Sequence, residues 1–228
     1  MLKVLTENLI STRVQYTVAI TQIKTGGWCT FWGRTNKTFL IVLNGSKIVH
    51  IYYKKNSMRK VIRYVIIGVL TGVIIYYFYP EKKLPPNVEI DKIVVLKSER
   101  KLQAFYNDQL LKTYTISIGR NPVGTKEFEG DKKTPEGLYT INDKNPNSGF
   151  HKNLGISYPN QEDIQRAEKN GKPAGGDIKI HGIRNRMGII GKFQRLSDWT
   201  AGCIALTNSE IDDLYKHTPV GTPIEIRP

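Results

Sequence analysis

The chain has 228 residues, and 34 lysines and arginines against 20 aspartates and glutamates give it a formal net charge of +14. Hydrophobic residues make up 39% and charged residues 24% of the chain, which excludes a wholly disordered chain, a collagen and a multi-span membrane protein. Two cysteines, Cys29 and Cys203, are too few for a disulfide framework or a cysteine-built zinc site. The four histidines are too scattered to indicate a metal cluster.

The positive charge lies mostly in the first part of the chain. Residues 1–57 carry a net charge of +7, residues 58–87 carry +4, and residues 88–228 carry only +3. A nucleic-acid-binding domain concentrates its basic residues on the folded part as a patch or stripe. Because residues 88–228 are nearly balanced, we expect no nucleic-acid partner.

Residues 1–57 are basic, rich in threonine and asparagine, and show no clear helical period. Met58 and the two basic residues after it form a normal start for a membrane anchor. We therefore interpret 1–57 as an N-terminal extension of doubtful origin, added by a wrongly chosen upstream start codon. No function is assigned to this extension or to Cys29 within it.

Residues 58–80 are predicted to form a membrane anchor or uncleaved signal. The 17 residues from Tyr64 to Pro80 carry no charge, and as a helix they would span roughly 25 Å, within the range of a membrane span. Basic residues precede the run and tyrosines end it, which favours an N-terminus in the cytoplasm and a C-terminal domain outside. The alternatives are a cleaved secretion signal, for which no small-x-small cleavage site is evident, and a buried core helix, which normally keeps a polar face.

A short linker, 81–87, precedes the C-terminal domain. Its end, Leu84-Pro85-Pro86-Asn87, is stiff because consecutive prolines favour an extended chain. The domain is expected to span 88–228, which is long enough to enclose one core of ordinary size.

Residue patterns in the domain predict short strands and two helices. β-Branched and alternating segments predict strands, Asn107-Asp108 predicts a turn, and Asn160 and Asn208 are expected to cap the helices. The predicted strands and short apolar stretches are 90–96, 102–106, 110–118, 138–141, 177–181, 203–206 and 223–226; the helices are 161–170 and one after Asn208; 119–137 is a loop. This pattern indicates a mainly β fold, a sandwich with two short helices.

Cys203 is the single cysteine of the domain and follows Gly202 directly. A lone cysteine with a histidine elsewhere is a candidate nucleophile, and Gly202 allows a tight turn whose backbone N–H groups can form an oxyanion hole. His181 ends a predicted strand just before Gly182, and an imidazole is a suitable base for a thiol near neutral pH. From spacing alone the alternatives stay open: Cys203 as a small buried hydrophobe and His181 as a structural histidine.

Five sequence blocks follow one another through the domain. They are K-T-P-E-G-L-Y at 133–139, L-G-I-S-Y-P-N at 154–160, I-K-I-H-G at 178–182, D-W-T-A-G-C-I-A-L at 198–206 and V-G-T-P-I-E-I at 220–226. Together they resemble the L,D-transpeptidase catalytic domain of YkuD type, over essentially all of 88–228. The resemblance implies an L,D-transpeptidase-like β-sandwich that acts on peptidoglycan stem peptides and needs no metal or organic cofactor.

The resemblance also implies roles for individual residues. Cys203 corresponds to the family's nucleophile and His181 to its base. The family orients that histidine through the backbone carbonyl just after it, which belongs to Gly182 here. The family's oxyanion donors are backbone amides of the turn, which would be those of Ala201, Gly202 and Cys203.

The chain departs from the common motif S/T-H-G-C-I-R at two positions. Ala201 stands where many members have histidine, and Ala205 stands where arginine is usual. The base is still present in His181, but a substrate carboxylate needs another cation. The candidates between the two motifs are Arg184, Arg186, Lys192 and Arg195, each of which is alternatively a solvated loop charge.

Four further residues are candidates for lining the substrate groove. They are Tyr158, Asp198, Trp199 and Thr200. For Tyr158 and Trp199 the alternative is a packing role in the core.

The expected reaction is a cysteine-dependent transfer through a thioester that cross-links or remodels the wall. The runner-up is water as acceptor, giving a carboxypeptidase or an amidase. The D-W-T-x-G-C-I-A-L-T-N form at 198–208 resembles the branch that includes enzymes releasing a wall-linked lipoprotein. A catalytically inactive wall-binding module and a cysteine protease for L-peptides are the remaining alternatives.

The expected location is a bacterial inner membrane, crossed once by residues 64–80, with the catalytic domain in the periplasm or wall space.

Overall fold

A computed structural model describes the backbone of residues 5–11, 14–21, 38–43, 47–52 and 55–228, with side chains from Met58 onward. Cys29 lies outside the described residues. The chain divides into two compact units, 1–73 and 74–228.

Four strands lie before the apolar helix, in a region to which sequence analysis assigned no structure. They are β1 (Leu5–Ser11), β2 (Val14–Thr21), β3 (Thr38–Leu43) and β4 (Lys47–Tyr52). They form an antiparallel sheet in the order β1-β2-β4-β3. The strands are rich in β-branched residues, which favour extended backbone.

Helix α1 (Lys55–Phe78) contains the predicted apolar span. Its apolar part, Met58–Phe78, has 21 residues and a mean hydropathy of 2.0, and none of that part is buried. At 1.5 Å per residue it is about 31 Å long, close to the thickness of a bilayer's hydrocarbon core. The helix ends before Tyr79 because Pro80 disfavours helical backbone at the preceding residue.

The C-terminal part is mainly β. Its strands are β5 (Lys92–Leu96), β6 (Lys101–Tyr106), β7 (Gln109–Thr115), β8 (Gly137–Ser148), β9 (His151–Ile156), β10 (Lys179–His181), β11 (Ile204–Ala205) and β12 (Pro223–Arg227). Its helices are α2 (Gln161–Lys169) and α3 (Asn208–His217). A 3-10 segment, Gly188–Leu196, is kinked at Gly191 and is called the 188–196 segment below.

The eight strands follow the order β11-β10-β9-β8-β12-β5-β6-β7. Strand β8 joins two halves of the sheet, because its first residues pair with β12 and its later residues pair with β9. A bridge between Ser117 and Ala205 connects the chain beyond β7 to β11, so the two edges of the sheet meet. Buried residues from both halves form one core, including Ile93, Leu102, Ile141, Leu154, Ile180 and Leu206. The mainly β fold with two short α-helices is therefore confirmed.

Two local predictions differ from the structure. Strand β8 continues to Ser148 rather than ending at 141, and β9 was not predicted as a strand. Both were missed because residues 142–148 are polar and contain Pro146, which is not typical of a strand. The N-cap of α3 is Thr207 and not Asn208: the Thr207 hydroxyl accepts the Glu210 N–H, and the Glu210 carboxylate accepts the Thr207 N–H at 3.1 Å. This reciprocal pair satisfies two backbone donors at the helix start.

Candidate active site

A cavity of about 930 Å³ lies where β10, the turn before β11 and the 188–196 segment meet. Strands β10 and β11 are parallel neighbours, and the Leu206 N–H donates to the His181 carbonyl at 2.9 Å. This pairing brings the end of β10 beside the turn that carries Cys203. Of the residues predicted to form the site, the cavity is lined by His181, Cys203, Ala201, Thr200, Trp199 and Arg184.

His181 is 5% exposed and has a fixed ring orientation. Its Nδ1 lies 2.6 Å from the carbonyl oxygen of Gly182. A carbonyl only accepts, so Nδ1 carries the proton and Nε2 is the basic nitrogen of the neutral ring. Phe150 and Trp199 pack against the imidazole with ring centroids 4.6 and 5.7 Å away.

The electrostatics of the pair favour two neutral groups at rest. Burial lowers the pKa of His181, although the Gly182 carbonyl opposes that shift. Burial raises the pKa of the Cys203 thiol; a backbone hydrogen bond from Lys179 opposes that shift, and the nearby Asp177 carboxylate adds to it. The Cys203 sulfur lies 3.6 Å from the backbone carbonyl of Asp177. Both pKa shifts favour the neutral forms of the thiol and the imidazole.

The turn before Cys203 depends on Gly202. Its φ of +137° is rarely adopted by other residues, and a Cβ there would lie 2.7 Å from the Lys133 carbonyl oxygen. The Gly202 N–H is donated to Thr200 Oγ1 at 3.1 Å, and the Thr200 hydroxyl donates to the Cys203 carbonyl at 2.7 Å. The Gly202 amide, expected among the oxyanion donors, is therefore already hydrogen-bonded in this structure.

Asp198 does not line the cavity, contrary to the prediction. Its carboxylate binds Arg100, with the Nη2–Oδ2 pair at 2.7 Å, and it accepts the Ile118 N–H at 3.1 Å. These contacts turn the side chain away from the groove. Asp198 thus ties the segment before Cys203 to Arg100, which directly precedes β6, and to Ile118, which follows β7.

Tyr158 also lies outside the main cavity. It is buried, and its hydroxyl donates to the Ala174 carbonyl at 2.9 Å. It lines a smaller cavity of about 200 Å³, which shares Asp177 and Lys179 with the larger one. Tyr158 belongs to the hydrophobic core cluster and does not line the larger cavity.

The predicted cations separate into two groups. Arg184 lines the cavity. Lys192 and Arg195 instead bind Glu81, at 3.2 and 2.9 Å, and Arg186 is exposed outside the cavity lining. Lys192 and Arg195 lie on the face of the 188–196 segment that contacts Glu81. Other residues of the segment face the cavity.

Many of the residues that line the cavity were not predicted from the sequence, and two of them carry polar side chains of interest. Arg120 lies in the predicted loop 119–137, and its Nε donates to the Trp199 carbonyl at 3.1 Å. Asn153 lies opposite His181 in the β9–β10 pairing and is 4% exposed. Among the described residues, no hydrogen-bond partner is found for the Asn153 Oδ1. A buried oxygen without a partner beside a cavity is free to accept a hydrogen bond from water or from a bound molecule. Because the strand that carries Asn153 was not predicted, the sequence contained no signal for this residue.

The mainly β domain places a thiol and an imidazole on one cavity, an arrangement that nucleophilic catalysis by cysteine requires. The family model for the L,D-transpeptidase catalytic domain, YkuD, matches residues 90–226. The chain therefore belongs to the YkuD family of L,D-transpeptidase catalytic domains.

Known proteins similar to the chain carry the same family name. YafK of Escherichia coli strain K12, named as a candidate L,D-transpeptidase, is 29% identical over 130 residues, which cover 54% of this chain and 45% of YafK. The chain thus matches about half the length of that relative. The L,D-transpeptidase of Xylanimonas cellulosilytica is 14% identical with a TM-score of 0.38, covering 64% of this chain and 65% of that one. L,D-transpeptidase 1 of Mycobacterium tuberculosis is 15% identical with a TM-score of 0.37, covering 60% of each chain.

Proposed function

We propose that the protein is an L,D-transpeptidase that acts on peptidoglycan stem peptides through a thioester on Cys203. The observation that carries this proposal is the His181 ring. Its Nδ1 is held by the Gly182 carbonyl at 2.6 Å, which leaves Nε2 as the base on the cavity that Cys203 also lines. Family membership supports the same assignment.

The first half-reaction forms the acyl-enzyme. His181 Nε2 takes the proton of the Cys203 thiol, and the sulfur attacks the carbonyl carbon of the third stem-peptide residue, a diamino acid. The turn amides stabilise the tetrahedral oxyanion; those of Ala201 and Cys203 are the first candidates, since that of Gly202 is bonded to Thr200. The C–N bond to the terminal D-alanine then breaks, and the leaving amine takes the proton from His181.

The second half-reaction transfers the acyl group. A side-chain amine of another stem peptide attacks the thioester carbonyl and gives its proton to His181. The C–S bond breaks, the thiolate recovers the proton, and a 3→3 cross-link results. Water as the acceptor would give a carboxypeptidase or an amidase, with a wall-linked lipoprotein as one substrate, and both routes share the same acyl-enzyme.

Three polar side chains are proposed to place the substrate. Arg184 and Arg120 line the cavity and supply cations for a substrate carboxylate, in place of the arginine usual at 205. A bidentate guanidinium is well suited to that group. The unpaired Asn153 Oδ1 is proposed to accept an amide N–H of the stem peptide.

The location is also a proposal. Met58–Phe78 is long and apolar enough to cross a membrane once. The basic residues before it favour a cytoplasmic N-terminus, so the catalytic domain would face the periplasm or wall space.

Mass spectrometry of purified tetrapeptide muropeptides tests the function. They are incubated with the full chain in detergent micelles, alongside Cys203→Ala as the matched control. We expect a dimer lighter than two monomers by one D-alanine, absent with the variant. Tripeptide without dimer would replace the transpeptidase by a hydrolase. No product with either protein would contradict the proposed activity on stem tetrapeptides.

A further inference from the structure

The last turn of α1 lies against the 188–196 segment. The Tyr77 hydroxyl donates to the Ile189 carbonyl at 2.5 Å, and the Tyr77 ring packs on Phe193 with centroids 5.3 Å apart. A Cβ on Gly191 would lie 3.0 Å from the same tyrosine ring, so glycine permits this close approach. The wall of the active-site cavity is thus in direct contact with the end of the apolar helix.

Charged groups hold the chain just after the helix onto the same segment. The Lys192 ammonium donates to the carbonyls of Tyr76 and Tyr79, at 3.0 and 2.5 Å. It also lies 3.2 Å from the Glu81 carboxylate, and Arg195 binds that carboxylate at 2.9 Å. No free spacer therefore separates the end of α1 from the segment.

Two large apolar side chains of the segment remain open to solvent. Ile189 is 84% exposed and Leu196 is 80% exposed. Neither residue lines the cavity. The Ile189 carbonyl is bonded to Tyr77, and Leu196 follows Arg195, which binds Glu81. Both residues thus belong to, or directly adjoin, the parts of the segment that contact the end of α1 and the chain just after it.

The length of α1 determines how deep its C-terminal end would lie in a bilayer. The 21 residues of Met58–Phe78 span about 31 Å, which is about the full thickness of the hydrocarbon core of a bilayer. Tyrosines concentrate at the membrane–water interface; Tyr76 and Tyr77 lie in the last turn of this helix and Tyr79 directly follows it. The carbonyl of Ile189, bonded to Tyr77, therefore belongs at interface depth.

We propose that Ile189 and Leu196 insert into the outer leaflet of the bilayer beside the exit of α1. This inference rests on the proposed membrane anchor and adds a second membrane contact, made by the catalytic domain itself. Because Ile190, Phe193 and Gln194 of the same segment line the cavity, the contact holds one wall of the active site at the membrane surface. The expected occupant is lipid because an apolar helix long enough to span a membrane ends against the same 188–196 segment.

Photochemical labelling from lipid tests the proposal. The full chain is reconstituted in phosphatidylethanolamine–phosphatidylglycerol vesicles that contain a phospholipid with a diazirine on its acyl chain, and labelled peptides are mapped by mass spectrometry. Val123, in the loop before β8, and Leu138, in β8, are 77% and 74% exposed and serve as matched controls from other parts of the domain. We expect labelling of 188–196 to exceed that of the control peptides at least about fivefold, alongside labelling of α1.

Each other outcome has a distinct meaning. Labelling of α1 with 188–196 no higher than the controls overturns the lipid contact and leaves the anchor intact. Absence of label from α1 contradicts the anchor itself. Protection of 188–196 from an aqueous carbene reagent, without lipid labelling, would assign the patch to a second copy or another protein and overturn the proposal.

A pair of variants separates lipid contact from folding. Ile189→Ser combined with Leu196→Ser should reduce lipid labelling of 188–196 to the control level while labelling of α1 and turnover of muropeptides in micelles persist. Val123→Ser should change none of these. Unchanged labelling of 188–196 in the double variant would contradict insertion through these two side chains.

Discussion

At the residue scale, burial shifts the pKa values of both candidate catalytic groups towards their neutral forms. His181 is buried between Phe150 and Trp199, and Cys203 is partly covered beside the Asp177 carbonyl. Burial disfavours the charged form of both groups. This differs from a site with a preformed thiolate–imidazolium pair, where a cationic neighbour lowers the thiol pKa. The proton would therefore move as the substrate carbonyl is attacked.

The neutral pair predicts where activity is lost in acid. A protonated His181 cannot accept the thiol proton, and burial lowers the His181 pKa below its ordinary 6.5. Activity should thus persist below pH 6.5 and fall only as the pH passes the lowered pKa. The measurement is kcat/KM for a tetrapeptide muropeptide between about pH 4.5 and 8. A half-maximum at or above pH 6.5, with the fold intact by circular dichroism, would contradict the assignment.

Gly202 gives a second test at this scale. Gly202→Ala places a Cβ 2.7 Å from the Lys133 carbonyl at a φ of +137°, so we expect a loss of about 1–3 kcal/mol in stability and at least about a tenfold loss of activity. Gly221→Ala is the control, because its φ is +94° but nothing lies within 4 Å of its Cβ. It should show the backbone strain without the loss of activity. Equal activity of both variants would refute a special role for the turn.

Asn153 should separate stability from activity. Asn153→Leu removes a buried oxygen that has no partner among the described residues, so unfolding free energy should change by less than about 1 kcal/mol. If that oxygen binds substrate, KM should rise about tenfold or more. Asn147→Leu, an exposed position on the same cavity, should leave KM unchanged. Wild-type KM in Asn153→Leu would remove this residue from the proposed substrate contacts.

At the element scale, the start of α3 supports the strand that follows the catalytic turn. Thr207 and Glu210 cap the helix reciprocally, and Glu210 also binds Arg195 of the 188–196 segment at 2.7 Å. One short connection therefore links β11, α3 and the cavity wall. This explains why Arg195 is a structural cation and is absent from the cavity.

Thr207→Ala tests the cap. It removes the hydroxyl that accepts the Glu210 N–H and donates to its carboxylate at 2.7 Å, so we expect a loss of about 1–2 kcal/mol. Ser209→Ala, exposed in the first turn of the same helix, should change stability little. Urea unfolding of the full chain in micelles gives both values. Equal stabilities of the two variants would show that the capping pair contributes nothing.

At the scale of the whole molecule, the loop 119–137 is held by Asp131, and this predicts how stability depends on pH. Burial alone would raise the Asp131 pKa, but Lys126, at 2.8 Å, and the N–H groups of Glu127, Lys133 and Phe128 lower it below 3.8. A lowered carboxylate pKa contributes stability that is present above the unfolded-state value and is lost as the pH falls through the folded-state value.

The variant Asp131→Asn should therefore be less stable than the wild type near neutral pH. The difference should shrink as the pH falls below 3.8, where the wild-type carboxyl begins to take up its proton. Urea unfolding of both full-length proteins at several pH values measures this. A difference that stays constant into acid would show that the carboxylate charge is unimportant. Glu99→Gln is the control, because Glu99 is an exposed partner of Lys101. This variant should change the free energy of unfolding little at any pH.

The sequence by itself determined the family, the apolar span and the central pair. Short blocks around Cys203, His181 and Gly182 are enough for this. Each block contains, within a few consecutive residues, the reactive side chain and the glycine next to it. Strand periodicity likewise placed most of the strands, because alternation is local. Strand β9 was missed because it adjoins a polar stretch. The four strands within 1–57 were missed although they are rich in β-branched residues, because that segment was interpreted as an extension without assigned structure.

Only the tertiary structure decided which other side chains share the cavity. Asp198 lies five residues before Cys203 yet turns to Arg100, and Tyr158 points to Ala174 instead of the main groove. Arg120 and Asn153 are distant in the chain and reach the cavity through strand pairing. Side-chain direction depends on which strands pair and which partners satisfy each polar atom. Those partners are far away in the chain, so the spacing of residues in the sequence does not predict them.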